Sequence, residues 1–279
     1  MTGALVVVAT PIGNLGDLSP RALSALASCD VVACEDTRRT RGLLTHAGIS
    51  GAGRLVSVHA HNEDARAAEL VERIAAGARV AYVTDAGTPT VSDPGARLVQ
   101  ACVAAGHPVE VVPGASAVLT ALVLSGFPAD RFVFEGFLPR RGRERRARLA
   151  AIAADLRPTA LYEAPGRVAG TLDDLAAACG PDRPCAVARE LTKVHEEVWR
   201  SSLGEAAARM ATTEARGEYV LVVGPGAARE VEVDDAVLLA ALERAVAAGA
   251  STRDAAASVA AEHGVPRRRV YGLAVDRPN

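Results

Sequence analysis

The chain of 279 residues has few of the features that mark several common protein classes. Aromatic residues make up only 3% of it, so the core must be built mainly from Ala, Val and Leu; the 49% of hydrophobic residues is enough for a large one. The formal net charge of −2 gives no overall attraction to nucleic acid or to a membrane. Lys193 is the only lysine among 31 basic residues, which we interpret as a compositional bias.

The cysteines and the apolar runs exclude further classes. The 5 cysteines form no C-x-x-C pair, which predicts reduced thiols and neither a zinc site nor a disulfide framework. No apolar run reaches the roughly 18 residues that a transmembrane helix needs, and the first residues lack the basic segment of a signal peptide. We therefore expect a cytoplasmic protein with no membrane partner and no bound metal.

Short apolar runs alternate with segments of helical spacing in the first part of the chain. This alternation predicts a parallel sheet with helices packed on its faces. The predicted strands are Leu5–Ala9, Asp30–Cys34, Leu55–Val58, Arg79–Thr84 and Val109–Val112.

A second series of strands follows, with fewer helices predicted between them, and this pattern favours a mixed sheet. Its predicted strands are Arg131–Glu135, Thr159–Glu163, Cys185–Glu190, Glu197–Trp199 and Tyr219–Val223. Beyond Gly226 the pattern becomes helical, with two helices separated by Gly264 near the end. We predict an α/β protein with α/β domains at residues 1–113 and 114–227 and a helical, helix-turn-helix-like tail at residues 228–279.

The loop after the predicted strand Arg79–Thr84 is unusually rich in special residues. Residues 85–94 include two Pro, two Asp and Gly87, and Gly95 follows directly. Ordinary loops between a strand and a helix have roughly 2–6 residues. A long polar loop at the carboxyl end of a parallel strand is typical of a ligand site in open α/β sheets.

Two other loops are predicted at the same edge of the sheet, namely residues 10–15 and 113–116. Because the carboxyl ends of parallel strands meet at one edge, the three loops should face one crevice. The loops contain neither G-x-G-x-x-G nor G-K-[ST], and none is basic. They therefore favour a nearly neutral, zwitterionic ligand over a triphosphate.

Seven motifs occur in order along the chain, and together they are more specific than any one of them. They are Ala9–Leu15, Glu35–Arg38, His59–Glu63, Thr84–Pro89, Ser92–Gly95, Val112–Ala117 and Phe134–Arg140. With these motifs the chain resembles the tetrapyrrole-methylase superfamily and, within it, enzymes that 2′-O-methylate a cytidine of 16S ribosomal RNA. The resemblance covers about residues 4 to 225. Ala115 departs from it, because the family usually has Pro there.

The resemblance implies two α/β domains with S-adenosylmethionine bound in the cleft between them, in a homodimer that acts on 16S rRNA, within or outside the 30S subunit. It also implies which residues bind the cofactor. By position these are Ile12, Gly13, Asp85, Thr88, Pro89, Ser116, Ala117, Tyr162, Leu191 and Val220.

A ribose hydroxyl is a poor nucleophile while protonated, so a general base would help methyl transfer. The candidates on loops of the first domain are His61, Glu63 and Asp36, with His59 as a further one. The alternative is that this cluster only orders the loop or contacts RNA. Glu35 and Asp36 can equally form an ion network with Arg38 and Arg41.

Residues 140–148 hold six arginines in nine positions. Such a run is usually a solvated helix face, but on an acidic protein it favours a contact with RNA phosphates. The predicted RNA-binding residues are Arg38, Arg140, Arg141, Arg143 and Arg146.

Two other functions compete with rRNA methylation. One is C-methylation of a porphyrin precursor by the same fold, against which the arginine run and the His59–Glu63 loop speak. The other is a ligand-sensing regulator that binds nucleic acid through the helical tail. The tail can equally stabilise a dimer, and one helix-turn-helix-like segment is weak support for nucleic-acid recognition.

Overall fold

The computed structural model describes residues 3–59, 62–226 and 233–275. Internal contacts divide the chain into two compact units, residues 1–226 and residues 227–279. The first unit contains two five-stranded sheets. Within the described ranges, no helix is long and apolar enough to span a membrane.

The first sheet is entirely parallel and has the strand order β3-β2-β4-β1-β5. Its strands are β1 (Ala4–Val8), β2 (Val31–Cys34), β3 (Leu55–Ser57), β4 (Arg79–Val83) and β5 (Val109–Val112). The helices between them are α1 (Pro20–Ser28), α2 (Thr37–His46), α3 (Glu63–Ala75) and α4 (Ala96–Ala104). Side chains of α1 and α2 pack on one face, and those of α3 and α4 on the other. The predicted parallel, helix-covered sheet is confirmed.

The second sheet has the order β6-β7-β10-β8-β9, in which only β6 and β7 are parallel. Its strands are β6 (Val133–Phe137), β7 (Thr159–Glu163), β8 (Pro184–Arg189), β9 (Glu197–Ser202) and β10 (Tyr219–Val223). The accompanying helices are α5 (Ala117–Ser125), α6 (Arg143–Ala154), α7 (Pro165–Cys179) and α8 (Leu203–Ala211). The predicted mixed sheet is confirmed.

The expectation of fewer helices between the strands of this half is confirmed, because α6, α7 and α8 separate its five strands, whereas α1 to α4 separate those of the first sheet. Only β8 and β9 follow each other without a helix between them. Helix α5 was hard to recognise because it is apolar on nearly every side and lacks helical periodicity. Its residues Val118, Ala121 and Leu122 pack on the second sheet in the same cluster as Ile12, which comes from the loop after β1.

The described part of the second unit, residues 233–275, contains three helices packed around an apolar core of their own. Its helices are α9 (Asp235–Ala247), α10 (Thr252–His263) and α11 (Arg267–Val275). Ser251 caps α10 by accepting a hydrogen bond from Asp254 N, and Gly264 ends it with φ of 64°. The predicted helix, glycine turn and helix are therefore confirmed. The domain limits at residues 113/114 and 227/228 stay predictions.

Gly95 cannot be replaced without strain. Its φ is 110°, and an added Cβ would lie 2.1 Å from Cε1 of the buried Tyr82. We expect Gly95→Ala to lower the free energy of unfolding by at least roughly 1–3 kcal/mol, the range typical of an enforced backbone strain. Denaturant unfolding measures this loss.

Gly170→Ala is the matched control, because Gly170 is exposed in α7 and an added Cβ there meets nothing within 4 Å. This change should raise stability by up to about 1 kcal/mol through helix propensity alone. Equal effects of the two substitutions would contradict the role given to Gly95.

Candidate active site

Loops from both sheets of the first unit enclose a cavity of about 330 Å³. The first sheet contributes residues from the loops after β1, β4 and β5. The second contributes the ends of β6 and β7, the loop after β8 and the start of β10. Because β10 runs antiparallel to β7 and β8, its first residues meet the last residues of its neighbours. The lining residues are Ile12, Ala86, Gly87, Thr88, Val91, Ser92, Asp93, Ser116, Ala117, Phe137, Tyr162, Glu163, Ala164, Pro165, Leu191, Glu218, Tyr219 and Val220.

The loop after β4 is held in an uncommon conformation. Thr10 and Gly87 exchange two backbone hydrogen bonds, of 2.9 and 3.1 Å, which join this loop to the one after β1. Thr90 and Ser92 have φ of 72° and 64°, values that non-glycine residues rarely adopt. Such strain concentrates at functional sites and persists only where surrounding contacts enforce it.

A second contact connects the loops after β1 and β8. Asn14 N donates a 3.1 Å hydrogen bond to Thr192 Oγ1. Gly13 lies so close that an added Cβ would be 2.4 Å from Cγ of Lys193. Lys193 Nζ is 2.7 Å from Glu190 and 2.8 Å from Glu218, so that it links β8 to β10. These contacts therefore hold the loop after β1 of the first sheet against the β8 and β10 ends of the second sheet.

The structure brings together seven of the ten predicted cofactor-binding residues in the lining of the 330 Å³ cavity. They are Ile12, Thr88, Ser116, Ala117, Tyr162, Leu191 and Val220. Gly13 and Asp85 line an adjacent cavity of about 240 Å³. Pro89 is buried in the same loop as Thr88 but is not among the lining residues of either cavity.

Asp85 already has partners in the smaller cavity. Its carboxylate accepts a 3.2 Å hydrogen bond from Asp36 N and lies 3.4 Å from Nη1 of Arg39. The guanidinium of Arg39 is largely exposed. Asp85 therefore connects the loops after β2 and β4.

Asp93 differs from Asp85, because it lines the larger cavity and is surrounded by negative charge. Burial, with added repulsion from Glu35 and Asp85, raises the pKa of Asp93 to about 6. The pKa of Glu35 is also raised, first by burial and then by Asp85. Asp93 is one of the two Asp of the loop at residues 85–94, and the sequence alone predicts no separate role for it.

The predicted general bases lie in different surroundings. Asp36 caps α2, accepting a 2.7 Å hydrogen bond from Arg38 N, and its carboxylate is 3.1 Å from Arg38 Nη2. The hydrogen bond from the Arg38 side chain lowers the pKa of Asp36. Glu63 accepts hydrogen bonds from Gly95 N and Arg97 N at 2.9 and 3.0 Å. His61 lies outside the described residues.

The arginine run divides into structural and exposed members. Arg145 is buried and contacts Asp174, Thr171 Oγ1 and the Pro139 carbonyl. Arg148 Nε lies 2.8 Å from a carboxylate oxygen of Glu135. The other four, all exposed, surround the start of α6 and are the four predicted from the sequence: Arg140, Arg141, Arg143 and Arg146. Arg38 is also exposed, but it is paired with Asp36.

Two sheets whose strand-end loops enclose one cavity define the architecture of a class of methyltransferases. A family model described as Tetrapyrrole (Corrin/Porphyrin) Methylases matches residues 4–207. The chain belongs to this family.

Two curated relatives and one solved structure illustrate the similarity. A Mycobacterium bovis protein named Ribosomal RNA small subunit methyltransferase I is 49% identical over 97% of this chain and 94% of its own. A Synechocystis protein of the same name is 44% identical over 98% of each chain. The uroporphyrin-III C-methyltransferase of Thermus thermophilus, solved with S-adenyl homocysteine, has a TM-score of 0.57 at 22% identity, covering 80% of this chain and 97% of that one. At this identity the solved structure supports the fold alone.

Glu63 should stabilise the start of α4, since Gly95 at its N-cap has no side chain that could accept a hydrogen bond. We expect Glu63→Ala to lower the free energy of unfolding by about 0.5–2 kcal/mol, the cost of losing a cap. Glu63→Gln keeps an acceptor oxygen and should lose less. Glu72→Ala, an exposed change in the same helix α3, is the control; a loss of the same size there would argue against the cap.

Proposed function

We propose that this protein is a methyltransferase that uses S-adenosylmethionine to 2′-O-methylate a cytidine ribose in the decoding region of 16S ribosomal RNA. The observation that carries the proposal is the near full-length similarity to proteins named as small-subunit rRNA methyltransferases. Five of the seven ordered motifs that suggested the same activity contribute residues to the lining of the 330 Å³ cavity.

The cavity suits S-adenosylmethionine. Its volume lies within the range of roughly 300–1,000 Å³ usual for small-molecule sites. Ile12, Leu191 and Val220 offer apolar surface, and Thr88 and Ser116 offer hydroxyl groups. The carboxylate of Asp93 complements the positive charge of a sulfonium or ammonium group.

Positioning would provide much of the rate. S-adenosylmethionine supplies an already activated methyl group when bound. The loops hold the reacting groups in line and exclude water, and such alignment can correspond to effective molarities of up to roughly 10⁵–10⁸ M. The hydrogen bonds between Thr10 and Gly87, and between Asn14 and Thr192, fix these loops relative to one another.

The exposed arginines at the start of α6 are proposed to bind RNA phosphates. They follow β6, whose last residue, Phe137, lines the cavity. RNA held there would lie close to the cavity entrance. The assembled 30S subunit as substrate, a homodimeric enzyme, and domains at residues 1–113, 114–227 and 228–279 belong to the same proposal.

Methyl transfer tests the proposal directly. Incubation with tritiated S-adenosylmethionine and 30S subunits that lack the modification should label one cytidine at its ribose 2′-oxygen. Fully modified subunits serve as the control and should take up no label. Label on a base or at many nucleotides, or no label although calorimetry shows that the cofactor binds, would reject the proposed substrate.

The arginine surface can be tested through salt dependence. We expect replacement of Arg140, Arg141, Arg143 and Arg146 by Ala to weaken RNA binding. It should also flatten the plot of log affinity against log salt by up to about 3 units, since each lost phosphate contact removes roughly 0.7.

The matched control replaces four exposed arginines elsewhere in the first unit: Arg21, Arg73, Arg131 and Arg216. It changes the net charge equally. If both variants lose the same affinity and slope, the effect comes from net charge, and the proposed surface is wrong.

A further inference from the structure

Asp93 lies in the wall of the 330 Å³ cavity, and its carboxylate oxygens are available to accept a proton or a hydrogen bond. Burial and the negative charges of Glu35 and Asp85 act on it, and within the described ranges neither a cation nor a hydrogen-bond donor offsets them. The other cavity carboxylates are engaged. Glu163 accepts hydrogen bonds from Ala164 N and Thr171 Oγ1, and Glu218 pairs with Lys193.

The backbone around Asp93 is fixed from several sides. Ser92, directly before it, has φ of 64°, and the cap on Gly95 N from Glu63 follows two residues later. An added Cβ on Gly136 would lie 2.9 Å from Ser92 Oγ, so that β6 abuts the loop. A carboxylate on a backbone constrained in this way is well placed to act at a defined point in the cavity.

We propose that Asp93 is the general base, accepting the proton of the ribose 2′-hydroxyl during methyl transfer. The inference rests on the proposed function. As the hydroxyl oxygen bonds to the methyl carbon, the carbon–sulfur bond breaks and its electron pair stays on sulfur. The hydroxyl proton passes to the Asp93 carboxylate and from there to water when the product leaves.

The electrostatics of the site support this role. A pKa of about 6 leaves Asp93 ionised at neutral pH yet makes it a stronger base than an ordinary carboxylate. The titratable groups that act on it are Glu35 after β2 and Asp85 after β4. Burial raises the pKa of Tyr82 and of Tyr162, and the charge of Asp93 raises both further, so that the two phenols stay neutral.

Asp93→Asn keeps the shape and removes the base. We expect the single-turnover rate on 30S subunits at saturating cofactor to fall by about 10²–10⁴-fold, the usual contribution of a general base. The affinity for 30S subunits, measured by filter binding, should change by less than about threefold. The affinity for S-adenosylmethionine, measured by calorimetry, should fall, because the variant lacks the negative charge that favours a bound cation. At saturating cofactor the wild-type rate should rise with pH through a midpoint below about 6, because the bound cation lowers the pKa of Asp93, and the variant should lose this dependence.

Asp173→Asn, an exposed change on α7, is the matched control and should keep the wild-type rate and pH profile. A thermal melt adds a readout that needs no activity. Because folding raises the pKa of Asp93, its ionised form opposes folding at pH 7.5, and Asp93→Asn should then melt at a higher temperature than the wild type. The difference should shrink as pH falls through 6 toward 4.

Two outcomes would overturn the assignment. One is a full rate and an unchanged pH profile in Asp93→Asn. The other is a loss of cofactor affinity with an unchanged rate at saturation, which would make Asp93 a cofactor ligand instead. Failure of the proposed function is seen separately, since the wild-type protein itself would then transfer no methyl group to a cytidine 2′-oxygen; this would reject both.

Discussion

The pair of backbone hydrogen bonds between Thr10 and Gly87 is the constraint on which the rest of the site depends. It joins the loops after β1 and β4, two adjacent parallel strands. These loops then lead to helices on opposite faces of the sheet, α1 on one and α4 on the other. A crevice forms between loops that diverge in this way, and α/β proteins bind ligands there. The Thr10–Gly87 hydrogen bonds limit how far apart these two loops lie.

The same loop reaches into the second sheet. Ile12, two residues after Thr10, is buried in the apolar cluster of α5, β8 and β10, and Asn14 is hydrogen-bonded to Thr192. The cavity therefore lies between the loops of the first sheet and the strand ends of the second. Side chains from both walls of the cavity pack in the same apolar cluster. A substitution in the loop after β1 would therefore displace residues of both sheets, because packed interiors transmit small displacements.

The parts of this architecture that depend on neighbouring residues in the chain could be predicted from the sequence. The apolar runs of β1, β4 and β10 predict buried strands, and the Pro and Gly residues around Gly87 mark the functional loop. Helix α5 was missed because its apolar residues show no period. The separate roles of Asp85 and Asp93 could not be predicted either. They depend on the ion pair of Asp85 with Arg39 and on the repulsion of Asp93 by Glu35, and both partners come from the segment after β2. Likewise, Arg145 differs from Arg146 only because α6 turns one of them toward α7.

The concentration of acidic groups around Asp93 links ligand binding to proton transfer. Glu35 and Asp93 both have raised pKa values, so the site is electrostatically least favourable when both are ionised and no positive charge lies nearby. A nearby positive charge stabilises a carboxylate, and the pKa of Asp93 must therefore fall when a cation binds in the cavity. By linkage, the ionised form of Asp93 also favours binding of that cation. A cationic methyl donor and an ionised proton acceptor would thus each promote the other, so that the base is ionised when the methyl group is in place.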